Sequence, residues 1–301
     1  MLEPTSVLLG LAKDKEVKYT FFVDVGYLIQ AAKFPETISE LNKVKQQIKE
    51  ILKLGHDVQL HVHPHWEKTS YVNGEWKMNT SGAYKLSDFN TTDQANIIKK
   101  YKSYLEELIG RDVTAYRAGG WCIQPFEEIK QVFKQVGLKI DSSVFSGGYL
   151  VTDDYYVDFT EAPKKSCYRF EQDVCVEDPN GSFIEYPISS FRYRPSFFWM
   201  LYVLGRLFPV KHKMIGDGVF LSQGGRKRSV LSSYTNSHVS TDGYYAKKLN
   251  AALEKSINLE HEEMVVIGHP KGNTVYSIAK LTRFIELNYT KHEFTSFDTE
   301  L

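Results

Sequence analysis

Residues 55 to 66 read GHDVQLHVHPHW and hold His56, His61, His63 and His65, four of the nine histidines in a chain of 301 residues. Neutral imidazole nitrogen binds a borderline cation such as zinc well, and a catalytic zinc site takes three protein ligands and leaves one position for water. A lone histidine on a strand is ordinarily a packing or surface residue, but three at alternate positions in HVHPH point to a metal site. His61 and His63 share a face if the strand keeps its period of two. Pro64 instead turns the chain, so that His61 and His65 approach one ion from strand end and loop. Both pairs stay open here. His56, at a helix-to-strand turn, reads as a solvated residue.

The elements that must position these side chains alternate between two periodicities. YTFFVDV (19–25), DVQLHVH (57–63), VTAYRAG (113–119) and LKIDSSV (138–144) read as strands, and so do SFIEYPI (182–188) and EMVVIGH (263–269). ISELNKVKQQIKEILKLG (38–55) has helical spacing and stops at Gly55; TTDQANIIKKYKSYLEELIG (91–110) has a Thr/Asp start and a glycine stop. PFEEIKQVFKQVG (125–137) starts with proline, and two more helices are expected at 242–257 and 274–287. Repeated β-α units predict an α/β protein with a parallel sheet covered by helices, either a barrel or an open doubly wound sheet. With no internal repeat and no low-complexity linker, residues 1–301 read as a single domain with irregular insertions around 146–181 and 190–241.

The chemically capable residues fall at one kind of place. His61 to His65, Arg117 with Gly119 and Gly120, Asp141, and His269 each sit at or just beyond the C-terminal end of a predicted strand, where parallel α/β folds build their sites. Each also has a plainer reading: Arg117 as a surface ion-pair residue, Asp141 as a turn or cap residue, His269 as the residue closing a loop before Pro270.

Composition removes several classes of partner. Lys plus Arg and Asp plus Glu both number 37, so no overall field draws the chain to nucleic acid or an anionic bilayer. The cysteines, Cys122, Cys167 and Cys175, are odd in number and form no CxxC pair, which fits a reducing compartment. The opening MLEPTSVLLGLAKDKEV has no basic n-region and does not read as a signal peptide, so the expected location is the cytoplasm. SFFWMLYVLGRLFPV (196–210) is shorter than the ~20 residues of a membrane span and carries Arg206. It is expected to be a buried helix or flap, with an interfacial helix followed by KHK as the alternative.

KYTFFVDVGYL, LKLGHDVQLHVHPHW, YRAGGW, IDSSV and VVIGHP, in that order, resemble the polysaccharide deacetylase, or NodB-type, family of carbohydrate esterases. The resemblance runs over roughly residues 18–145 and 182–290, and its most specific part is the histidine motif. It implies a distorted (β/α) barrel that holds one divalent metal, zinc by expectation, with an aspartate and a His-x-x-x-His pair. By position the metal-binding pair falls on His61 and His65, the arginine that orients the catalytic base on Arg117, a supporting acidic position loosely on Asp141, and the general acid on His269.

The departure lies at the start of the chain. The family carries its base and its aspartate ligand on a first strand ahead of the one resembling YTFFVDVGYL, and here about seventeen residues of helical character precede that strand. Three explanations stand: an upstream segment, a degenerate relative, or Asp24 taking the acidic role. With the acidic groups supplied, the resemblance implies removal of an N-acetyl group from a carbohydrate: the metal activates water, a carboxylate held by Arg117 takes its proton, and His269 protonates the leaving amine. Trp66, Tyr71, Trp76, Tyr84 and Trp121 are candidate sugar-stacking residues, Trp66 and Trp121 foremost. The alternatives are an inactive carbohydrate-binding relative, and another HxH metallohydrolase in which His63 rather than His65 binds the metal.

Overall fold

A computed structural model describes residues 1–216, 218 and 226–297; the rest of the expected insertion at 190–241 lies outside the described residues. In chain order the first elements are α1 (Leu2–Ala12), β1 (Thr20–Asp24), α2 (Val25–Ala31), α3 (Ile38–Lys53) and β2 (Asp57–Val62). Helix α3 buries Leu41, Ile48 and Ile51 from one stripe and gives way to Gly55, whose φ of 74° no β-carbon has to tolerate. A hairpin of β3 (Ser70–Val72) and β4 (Glu75–Lys77) turns through Asn73 and Gly74, both at positive φ as a two-residue hairpin loop requires.

Helix α4 (Thr91–Ile109) is capped by the Asn90 side chain, which accepts from the Asp93 amide at 2.9 Å, and ends at Gly110 with φ 72°. Then come β5 (Ala115–Ala118), α5 (Lys130–Val136), β6 (Ile140–Asp141), β7 (Tyr149–Val151), β8 (Tyr156–Asp158), β9 (Tyr168–Phe170) and β10 (Phe183–Glu185). The chain continues through β11 (Ser190–Tyr193), α6 (Pro195–Leu207), α7 (Pro209–His212), α8 (Arg226–Ser232), β12 (Thr235–His238), α9 (Leu249–Asn258) and α10 (Val275–Asn288).

These elements form two compact units. The sheet unit takes Lys18–Val144, Gly148–Pro187 and the stretch from Thr295; the helical unit takes Met1–Val17, Phe145–Gly147 and Ile188–Phe294. In the sheet unit six strands run in the order β1-β2-β5-β6-β10-β9, parallel except where β9 meets β10. β2 is buried at Val58, Leu60 and Val62, as a central parallel strand covered on both faces should be. Phe126, Phe133, Phe170 and Phe183 fill the space under β10 in edge-to-face pairs, three of them with centroids 4.9 to 5.3 Å apart. The mixed α/β class expected from the sequence is what forms. The barrel is not: the sheet is open, with β1 and β9 at its two ends among the described residues.

The helical unit pairs β11 with β12 in antiparallel register, and its helices pack on one another, α6 on α7 and α8 and α10 on α7 and α9. The strand expected at 263–269 forms no ladder, because Val265 bridges Ile188 while Ile267 bridges a different segment at Ser240. The stretch 196–210, expected as a buried helix or flap, is helical but leaves one face exposed: Trp199 is 55% and Leu207 65% accessible. No helix among the described residues is long and apolar enough to cross a membrane.

Candidate functional site

At the end of β2 three imidazoles come together, with the ring centroids of His61 and His63 4.6 Å apart and those of His63 and His65 5.1 Å apart. Nδ1 of His61 lies 2.7 Å from the carbonyl oxygen of Arg117, its register partner on β5. A carbonyl only accepts, so Nδ1 carries the proton and the neutral ring holds its lone pair on Nε2. Pro64 ends the strand and starts a short 3₁₀ turn, Pro64–Lys68, that carries His65 into a buried position against the rings of Trp66 and Tyr84.

Two glycines of the RAGG stretch make this cluster possible. A β-carbon on Gly119 would lie 2.5 Å from His63 Nδ1, and one on Gly120, at φ 60°, would lie 2.6 Å from the Tyr155 hydroxyl and 2.7 Å from the Tyr84 ring. Gly26 does the same for Trp66, since a β-carbon there would meet its ring at 2.6 Å. Trp66, read from the sequence as a sugar-stacking wall, is buried and donates its indole N–H to Asp24 Oδ2 at 2.7 Å, so it positions that carboxylate instead. Tyr84 is also buried, stacked on Tyr155 at 4.6 Å, and its hydroxyl is pushed up to about 12 by burial. Trp121 stays half-buried. His56 corrects the sequence expectation as well. It is buried against Tyr19 and Phe21, accepts from the Tyr19 amide at 3.4 Å, and is held below its ordinary pKa by burial and by Lys18.

Behind the imidazoles lies a charged layer. Arg117 donates from Nε to the Ser142 carbonyl and from its terminal nitrogen to Ser142 Oγ, both at 2.7 Å, and its guanidinium covers the Phe22 ring at 4.2 Å. Burial lowers it to about 10 against the pull of Asp141 and Glu185. Asp141 accepts from the Ser143 hydroxyl at 2.7 Å and amide at 3.0 Å, while Glu185 on β10 accepts from the Val144 amide at 3.1 Å. Asp141 and Glu185 are register partners on neighbouring parallel strands, 2% and 0% exposed. Oε2 of Glu185 meets no N–H or O–H donor, and a proton shared with the facing Asp141 carboxyl would satisfy it. Burial, and then the Asp141 charge, raise Glu185 well above the usual carboxylate range; burial raises Asp141 too.

The expected site residues are thus grouped in two places. His61, His65, Arg117 and Asp141 belong to the sheet unit, together with His63 and Asp24. His269 belongs to the helical unit, where Asp242 accepts from its backbone amide and lies 2.7 Å from its Nδ1. The close approach of Gly272 and Gly268 to residues 241–242 allows this pairing. Sequence reasoning passed over Glu185 and Asp242. Glu185 had a signal, a carboxylate inside the apolar run SFIEYPI. Asp242 had only its place in NSHVSTDG, 27 positions from its partner.

The donors suit a divalent cation chemically, and the Arg117 carbonyl on His61 Nδ1 is the kind of support a ligating imidazole receives. Their placement does not: no group of three His, Cys, Asp or Glu side chains among the described residues is placed to hold one ion. The zinc site expected from the resemblance is therefore not supported by these positions.

No family model matches the sequence, and no curated protein matches it. Among solved structures, the chain is similar to a Mycobacterium smegmatis protein provisionally described as a polysaccharide deacetylase. That similarity has a TM-score of 0.51 at 18% identity and covers 96% of this chain and 72% of the other. The relationship is one of fold, and it is distant. A GH57 branching enzyme from Thermococcus kodakaraensis, solved with glucose, aligns with a TM-score of 0.42 at 9% identity over 98% of this chain and 55% of its own.

Proposed function

We propose that this chain is a carbohydrate N-deacetylase whose reacting centre is the imidazole cluster of the sheet unit. The observation that carries the reading is the cluster itself: His61, His63 and His65 gathered at the C-terminal end of a central parallel strand, with His61 oriented through its Nδ1 by the Arg117 carbonyl. The family motifs in the sequence and the shared fold of the M. smegmatis protein support the same substrate class.

Hydrolysis of an N-acetyl group forms a C–O bond from water to the acetyl carbon and breaks the C–N bond, and the amine departs with a proton. His61, with its lone pair on Nε2, is suited to take the proton of the attacking water. Arg117 holds the strand end that fixes His61, and its charge is tied to Ser142 and to the Asp141 and Glu185 pair. In the helical unit, the Asp242 carboxylate lies on Nδ1 of His269 and orients that ring. Trp121 is the aromatic proposed to lie against the sugar.

The test is acetate release from N-acetylglucosamine oligomers by the full chain, with and without chelator, beside His61→Ala and His65→Ala. Release that falls by about 10²–10⁴ in a folded His61→Ala variant is the expected result. Oligosaccharide binding without acetate release would replace the reading with that of an inactive carbohydrate-binding relative. A reaction that survives His65→Ala and fails in His63→Ala would favour the other HxH hydrolase class. Activity lost to chelator and restored by zinc would restore the metal expectation.

A further inference from the structure

The exposed face of α6 and the turn after it are built for a surface. Trp199, Met200, Val203 and Leu207 are 55%, 43%, 44% and 65% accessible, and Phe208 and Val210 are 50% and 81%. At about 100° per residue, the four helical positions fall within a single arc of about 100°. The opposite face is anchored, with Phe197 and Phe198 in a buried cluster with Tyr193 and Tyr244 and with Leu201 and Leu204 against it. The apolar strip is thus a fixed feature of the helical unit, of a kind that soluble surfaces rarely leave open.

Its charge is as one-sided as its hydropathy. Between Glu185 and Asp242 the sequence has eight Lys or Arg residues and one acidic residue, Asp217, in a chain that has 37 of each sign. Arg206, Lys211, Lys213 and Lys227 of this group are exposed. The Arg206 and Lys227 cations lie over the Tyr202 ring, 6.0 and 5.1 Å from its centre, and Lys211 lies over Phe208 at 5.7 Å. The balanced net charge of the whole chain hides this local excess.

We propose that this face docks on an anionic lipid bilayer, with Leu207, Phe208 and Val210 entering the interface and Arg206, Lys211 and Lys213 meeting acidic headgroups. Aromatic and aliphatic side chains on one helical arc beside Lys and Arg are the chemistry of an interfacial helix. A second copy of the chain is the weaker occupant, because a two-fold interface would set the same cationic rim against itself. The proposal goes beyond the deacetylase reading and does not depend on it.

The test is co-sedimentation of the full chain with vesicles of phosphatidylcholine alone and of phosphatidylcholine mixed with phosphatidylserine. The companions are Leu207→Asp with Val210→Asp, and Lys211→Glu with Lys213→Glu, all at exposed positions, with folding checked by circular dichroism. Binding to the mixed vesicles, weakened more than about tenfold by either pair of substitutions and by high salt, is expected. Absence of binding overturns the proposal, as does binding that neither pair alters or that is equal on both vesicles. A concentration-dependent dimer removed by the same substitutions would overturn it in favour of the second copy.

Discussion

At the scale of single residues, the feature with the clearest energetic signature is the Asp141 and Glu185 pair. Both are raised by burial, Glu185 the more strongly because it also faces the Asp141 charge. The native state therefore keeps a proton at a pH where the unfolded chain, with its Glu near 4.5, has lost it. Stability from that proton is fully present below about 4.5 and is lost as pH rises through the native value. The loss is about 1.4 kcal/mol for each pH unit over which only the native state holds the proton. Glu185→Gln keeps the shape and supplies an amide N–H in place of the shared proton, leaving Asp141 free to ionise beside Arg117. Its urea-unfolding free energy is expected to fall less between pH 5 and pH 8 than that of the parent, and a parallel decline would contradict the shared proton. The arginine and the aspartate were legible from RAGG and IDSS, because each stands at a strand end. Their glutamate partner was not, since contact between β6 and β10 depends on a register that only the folded sheet sets.

At the scale of elements, legibility followed the strength of local signals. Helix α4 was readable nearly to the residue from its Thr/Asp start and Gly110 stop, and the cap itself is Asn90, one residue ahead of that start. Asn90→Ala is accordingly expected to cost about 1 kcal/mol, read as a lower urea midpoint with an unchanged slope. Helix α2 was not foreseen: it begins directly after β1, spans seven residues, and holds Gly26, which reads as a helix breaker until the Trp66 ring is seen to occupy the space a side chain would need. The run EMVVIGH has the apolar character of a strand but lacks one continuous neighbour, so its backbone divides between two partners. Histidines 61 and 65 announced themselves through spacing, whereas Asp242 on His269 is a contact between two irregular segments that no periodicity encodes.

At the scale of the molecule, the chain passes between its two units more than once, and each unit is finished by a segment distant in sequence. In the sheet unit Phe297 packs on Phe22 and Tyr186, with centroids at 5.8 and 5.4 Å, and its amide donates to Thr20 Oγ1 at 3.1 Å. Phe297→Ala is expected to cost about 1–2 kcal/mol, below the ~3–5 of a fully buried phenylalanine, and to raise amide hydrogen exchange in β1 while leaving α10 unchanged. A single domain was the expectation from an unbroken composition, and composition carries no trace of such crossings. In the helical unit Val17 bridges Phe294, so the segment before β1 waits for a partner roughly 280 residues later. At the ~5–20 residues per second of ribosomal synthesis, that wait lasts about 14 to 56 s. Helix α1 packs on Pro270–Gly272, a segment made almost as late, so a chaperone has most of that window to reach α1 before this partner exists.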